Sequence, residues 1–209
     1  MAGKIEDKQC KEMEEARTIM GNNFFGVDHA AEFFGFDPTS EKYEGLDFSK
    51  IPYSKKMLEE HKRSHFLVFV TPININTMRS MYPSVFRTCD YFHKSKFTQK
   101  EGELGWFLVE KKPKDDALGQ VFEKQLVSLS SGEEIIKSQP LIYFLIANFL
   151  LNNECLLFNS TARCLDFAFL DFRVCVGKFD LNQGGINIST FWDTSLPNLS
   201  IITFLKGDI

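Results

Sequence analysis

A dense apolar run, Leu141 to Leu151, is followed at once by four β-type runs broken by Asp, Asn and Gly between Cys155 and Lys206. A helix apolar all round has to be buried, and the strands that follow supply the surface to bury it. The run is about half of the roughly 20 residues that a helix needs to cross a bilayer. The sequence therefore predicts a core helix backed by a sheet, with no membrane span.

The chain has 209 residues, enough for one well-buried domain and too few for two ordinary ones. A one-sided stripe of Met13, Ala16, Ile19 and Met20 predicts a helix over 6–20, stopped by Gly21. Val27 to Phe34 reads as a second helix and Lys55 to Lys62 as a third, capped by Ser54, with Asp37 to Tyr53 a loop between them. Phe66 to Val70 is continuously apolar, the mark of a central strand covered on both faces. Trp106 to Val109 reads as its neighbour, and the basic run after it as a solvated strand exit. Ala117 to Leu129 is helix-like, and so is Glu133 to Leu151, a longer helix interrupted or started at Pro140, a residue tolerated at a first turn. Cys155 to Leu165, Arg173 to Lys178, Ile186 to Thr190 and Ser200 to Leu205 are the strands. Early helices and late strands make an α+β fold: a mostly antiparallel sheet of about six strands packed on the long apolar helix. Residues 1–63 form an N-terminal helical subdomain and 64–209 the sheet domain, as one folding unit.

The chain carries 24 basic and 28 acidic side chains, so no strong field exists to gather phosphate backbones or anionic lipid. Nucleic acid and membrane are accordingly not expected as partners. Phe outnumbers Tyr and Trp by 22 to 5 and 2, a large apolar content without polar handles, which assigns most rings to the core. Cys10, Cys89, Cys155, Cys164 and Cys175 form no paired framework, and they read as reduced thiols of a cytoplasmic protein. The alternating Lys and Glu of residues 1–15 lack the apolar stretch of a secretory signal.

Short motifs run through most of the chain: Met20-Gly21 with Asn23-Phe24-Phe25-Gly26, Ile51-Pro52-Tyr53-Ser54, Gly105-Trp106, Val176-Gly177 with Phe179-Asp180, and Trp192-Asp193. In these the chain resembles a family of bacterial proteins of unassigned activity. The resemblance implies a single compact domain and brings no catalytic residue with it. Where that family has a polar Asp-Gly turn, this chain has Phe167-Ala168-Phe169-Leu170 between Asp166 and Asp171, which leaves open whether a tight hairpin forms there; if it does, its tip exposes these side chains.

Candidate chemistry is sparse. Cys89 and His93, four apart, could pair as nucleophile and base on a shared helical face. Asp180 and Asp193, at strand ends, could converge as acid and base, although such residues more often cap their own turns. His61 and His65 have a metal-like spacing, but one ends a helix and the other starts a strand, so no metal is expected. Gly184-Gly185 lacks the following helix of a phosphate loop, and no motif asks for a cofactor. What remains is apolar surface: Phe167, Phe169 and Leu170 on one segment, and Trp192 in the Phe191-Trp192-Asp193 loop. The leading expectation is a binding module that docks a protein partner through these side chains. The alternative is a hydrolase that uses Asp180, Asp193 or the Cys89 and His93 pair in a cleft, and a third reading, a small-ligand binder, would need an apolar cavity in the ring cluster around Phe24 and Phe33.

Overall fold

In a computed structural model the described residues are 12–87, 92 and 94–207. The fold is α+β with two mixed sheets. The first sheet has five strands in the order β1 (Phe24–Phe25), β2 (His65–Val70), β3 (Gly105–Glu110), β9 (Thr203–Leu205), β4 (Glu133–Ile135). Only β1 and β2 run parallel in it. The second has four, in the order β7 (Gly185–Phe191), β6 (Phe172–Asp180), β5 (Thr161–Phe169), β8 (Leu199–Ile201), with only β5 and β8 parallel.

The expected single sheet of about six strands is thus corrected to two, and the reason lies in one run. Ser200 to Leu205 reads as one strand, yet it breaks at Ile202: β8 pairs with β5 and β9 pairs with β3 and β4. A strand that switches sheets makes the corner between them. Ile202 is buried at that corner, and its carbonyl accepts the Ile136 N–H at 3.2 Å.

Between the sheets lies the apolar helix, α7 (Ser138–Asn152), in which every side chain from Ser138 to Asn148 is buried. It contacts β1 and β2 on one side and β5 and β6 on the other. Phe66, Val68 and Val70 share a core with Leu141 to Ala147 and with Ala162, Val174 and Val176. Because α7 has a sheet on each side, it needs no polar face. Of the two readings, the start near Pro140 is the one found: Glu133–Ile135 is a strand, the helix opens at Ser138, and Pro140 falls in its first turn, where its missing N–H costs nothing.

The far face of the first sheet is covered by a helix over residues 12–20 (α1) and by α3 (Lys55–His61), capped as expected by Ser54, whose hydroxyl accepts the Met57 N–H at 3.2 Å. α2 (Val27–Phe34) follows α1 in the chain but packs Val27, Ala30 and Phe34 into the core that holds α7, and it stops at Gly35 in the left-handed conformation. Ala16, Met20, Tyr53 and Leu58 pack on Leu67 and Leu108, so β2 is covered on both faces as its sequence predicts. The Tyr53 hydroxyl accepts the Leu108 N–H at 3.0 Å and lies 3.0 Å from the Leu205 carbonyl, stitching β3 to β9. Burial raises its pKa, so it stays protonated and donates. Two short helices remain, α4 (Ile75–Met81) and α5 (Lys96–Gln99), and α6 (Phe122–Val127) is much shorter than the Ala117 to Leu129 pattern.

Candidate functional site

β5 and β6 form a hairpin, the alternative that the apolar segment left open. Phe167 pairs with Arg173 and Phe169 with Phe172, leaving Leu170 and Asp171 as the connection. Leu170 takes φ 42°. That left-handed region suits Gly or Asn, and a branched apolar residue there is strained. The residue is nonetheless 86% exposed. Alternation along β5 puts Phe167 and Phe169 on one face, 46% and 49% exposed. Phe169 stacks on Phe172 with centroids 4.6 Å apart, and Phe172 meets Trp192 edge to face at 5.1 Å. Trp192 is 58% exposed. Phe167, Phe169, Leu170, Phe172 and Trp192 thereby form one apolar patch around the hairpin.

Two arginines fix this patch from beneath. Arg173 lies between rings, its guanidinium carbon 3.6 Å from the Phe122 centroid and 4.1 Å from that of Phe167. Its Nε donates to Asp193 Oδ1 at 2.9 Å and its Nη1 to the Leu165 carbonyl at 2.6 Å. Arg163 is wholly buried. It donates to Gln125 Oε1 at 2.8 Å and to the carbonyls of Thr194 at 2.5 Å and Trp192 at 3.3 Å. Gln125 is held in turn by its Nε2 donating to the Ala117 carbonyl at 3.0 Å. The loop that carries Trp192 is therefore clamped by a rigid guanidinium fork. Two arginines face one carboxylate here, which leaves a net positive charge behind the rings. Cys175, the cross-strand partner of Arg163, adds no anion: burial pushes its thiol up to about 12 even with that guanidinium opposing.

A cavity of about 240 Å³ opens at the base of the hairpin, lined by Phe167, Asp166, Pro140, Lys137, Lys96 and Lys100 among others. Its carboxylates are engaged. Asp166 accepts the Ser138 N–H at 2.7 Å and hydroxyl at 2.5 Å, capping α7, while Glu103 pairs with Lys137 and Glu101 with Lys42. Among the described residues Lys96 and Lys100 make no ion pair.

The other sequence-derived candidates do not gather. Asp180 is buried and accepts the Asn182 N–H at 2.9 Å, capping the one-turn helix Leu181–Gln183. It opposes Gly185 at one end of the β6–β7 pair, while Asp193 follows Phe191, which opposes Arg173 at the other end. Seven strand residues at about 3.3 Å each put them on the order of 20 Å apart. Cys89 and His93 lie outside the described residues. His61 and His65 do come together, with ring centroids 4.5 Å apart, because the strand starts directly beneath the last turn of α3. Among the described residues, however, no group of three or more His, Cys, Asp or Glu could hold a metal ion. The rings around Phe24 and Phe33 pack closely: Phe25 touches His29, Phe33, Phe34 and Tyr143.

Arg163, Arg173, Gln125 and Phe122 were not legible as site residues. A signal existed in Thr161-Ala162-Arg163-Cys164, where a guanidinium stands inside an otherwise apolar strand, and such a charge needs a dedicated set of acceptors. Comparison of the chain with protein-family models, with curated proteins and with solved structures finds no match.

Proposed function

We propose that this chain is a cytoplasmic protein-interaction module that docks a partner segment on the β5–β6 hairpin and the neighbouring Trp192 loop. The single observation that carries the reading is Leu170. A leucine held at positive φ, with its side chain in water, is costly twice over, and local strain of this kind concentrates at functional sites. The occupant that fits is an extended segment of another protein with large apolar side chains flanked by acidic ones. Its apolar groups would lie on Phe169, Leu170, Phe172 and Trp192, and its carboxylates would meet Lys96, Lys100 and the net positive charge of the arginine pair. Aromatic anchors on a rigid support are the usual source of interface energy. The free thiols of Cys155, Cys164 and Cys175 support a reducing compartment.

The experiment is selection from a displayed random-peptide library against the full chain, with a Phe169→Ser/Trp192→Ala double variant as the counter-target. Enrichment of apolar peptides with acidic flanks, lost on the double variant, is the expected result. Equal enrichment on both proteins, or none on either, removes the hairpin as the docking surface.

A further inference from the structure

The start of β2 and the end of β3 carry a second feature, unrelated to the hairpin. His65 and Glu110 are the last cross-strand pair, and the Lys111 N–H donates to the Ser64 carbonyl at 2.9 Å. This continues the pairing by one residue and sets Arg63-Ser64 alongside Lys111-Lys112. A cavity of about 240 Å³ is lined there by Arg63, Ser64, Glu110, Lys111 and Lys112. Among the described residues none of Lys62, Arg63, Lys111 and Lys112 pairs with a carboxylate. The chain as a whole has net charge −4, and mutual repulsion works against collecting four cations at one strand end.

Structural causes account for only part of this. Lys62 complements the C-terminal dipole of α3, and the Lys111 ammonium donates to Asn23 Oδ1 at 3.0 Å. Among the described residues Arg63 and Lys112 have no such partner, and the hydroxyl of Ser64, exposed at the cavity, lies 2.9 Å from His65 Nδ1. With its proton on Nδ1, His65 donates to Ser64 Oγ, and the hydroxyl hydrogen, which faces the His61 carbonyl at a long 3.4 Å, can turn from it to an anion in the cavity. We propose that this cavity binds a phosphoryl oxyanion, with the Arg63 fork, the Lys112 ammonium and the Ser64 hydroxyl as its donors. Glu110 lines the same space and accepts the Thr203 hydroxyl at 3.0 Å. Its charge opposes the anion, so this residue limits affinity.

Inorganic pyrophosphate titrated into the full chain, followed calorimetrically, tests the site. Saturable binding is expected, weakened about tenfold or more by Arg63→Gln with Lys112→Gln and tightened about threefold by Glu110→Gln. Circular dichroism checks that each variant is folded. Vesicles of phosphatidylcholine with phosphatidic acid separate the sources of the phosphoryl group. Cosedimentation that the double variant loses, without pyrophosphate binding, assigns it to a lipid headgroup, and pyrophosphate binding alone assigns it to a free phosphorylated compound. A non-saturable response in both arms, the same affinity in the double variant, or weaker binding by Glu110→Gln overturns the proposal.

Discussion

Leu170 and His65 show how single residues depart from their local preferences in opposite settings. Leu170 sits on the surface in a backbone conformation that favours Gly or Asn. Leu170→Asn is expected to raise stability by about 0.5–1 kcal/mol in urea melts, because Asn tolerates the left-handed region. The same change should abolish peptide selection, and a loss of stability would show that no strain is stored there. His65 is buried at the start of β2, where burial first, and then the neighbouring His61 and Lys114, lower its pKa to about 4, with Glu133 opposing. Above pH 6.5 the native and unfolded chains both hold it neutral. Between pH 6.5 and 4 only the unfolded chain takes up the proton, so stability falls across that window, by about 3 kcal/mol in total. Burial of Glu110 raises its pKa and works in the other direction at the acid end. Urea melts of wild type and His65→Gln at pH 7 and pH 5 should differ more at pH 7 than at pH 5, and a constant difference would refute the shift.

At the scale of elements, the sheet around β6 depends on close approach as much as on apolar pattern. Gly177 opposes Thr161, and a Cβ there would lie 2.2 Å from the Ser160 carbonyl oxygen and 2.7 Å from Thr161 Cα. Both are backbone atoms that cannot rotate away. Gly177→Ala should therefore cost about 2–3 kcal/mol or more by forcing β5 and β6 apart, measured by thermal denaturation; a neutral outcome would mean that the strands separate freely. The strands themselves were largely legible, since alternation and turn residues mark them. Their ends were not: β4 sits inside a helix-like stretch from Glu133, because pairing of Glu133 to Ile135 with β9 overrides a weak local preference. The hairpin tip is not legible for a similar reason, as the β5–β6 ladder imposes the turn on residues that would not choose it.

For the whole molecule, α7 and the Ile202 corner make the two sheets mutually dependent. Trp106 reports on the first sheet, against Phe24 and Phe69, and Trp192 on the second, against Phe172. Single-tryptophan variants, Trp106→Phe and Trp192→Phe, should give superimposable urea transitions, since the largest core is shared by both sheets through α7 and neither can lose it alone. Separate midpoints would mean that the sheets unfold independently. The α+β class, the buried helix, the central β2 and the apolar character of Phe167, Phe169, Leu170 and Trp192 follow from sequence alone, because hydrophobic pattern and turn chemistry act over a few residues. The number of sheets, the guanidinium clamp of Arg163 and Arg173 on the Trp192 loop, the separation of Asp180 from Asp193 and the gathering of Arg63 with Lys112 were settled only by tertiary structure. Each joins residues distant along the chain through strand register and packing, and no local signal specifies which distant segment a strand will meet.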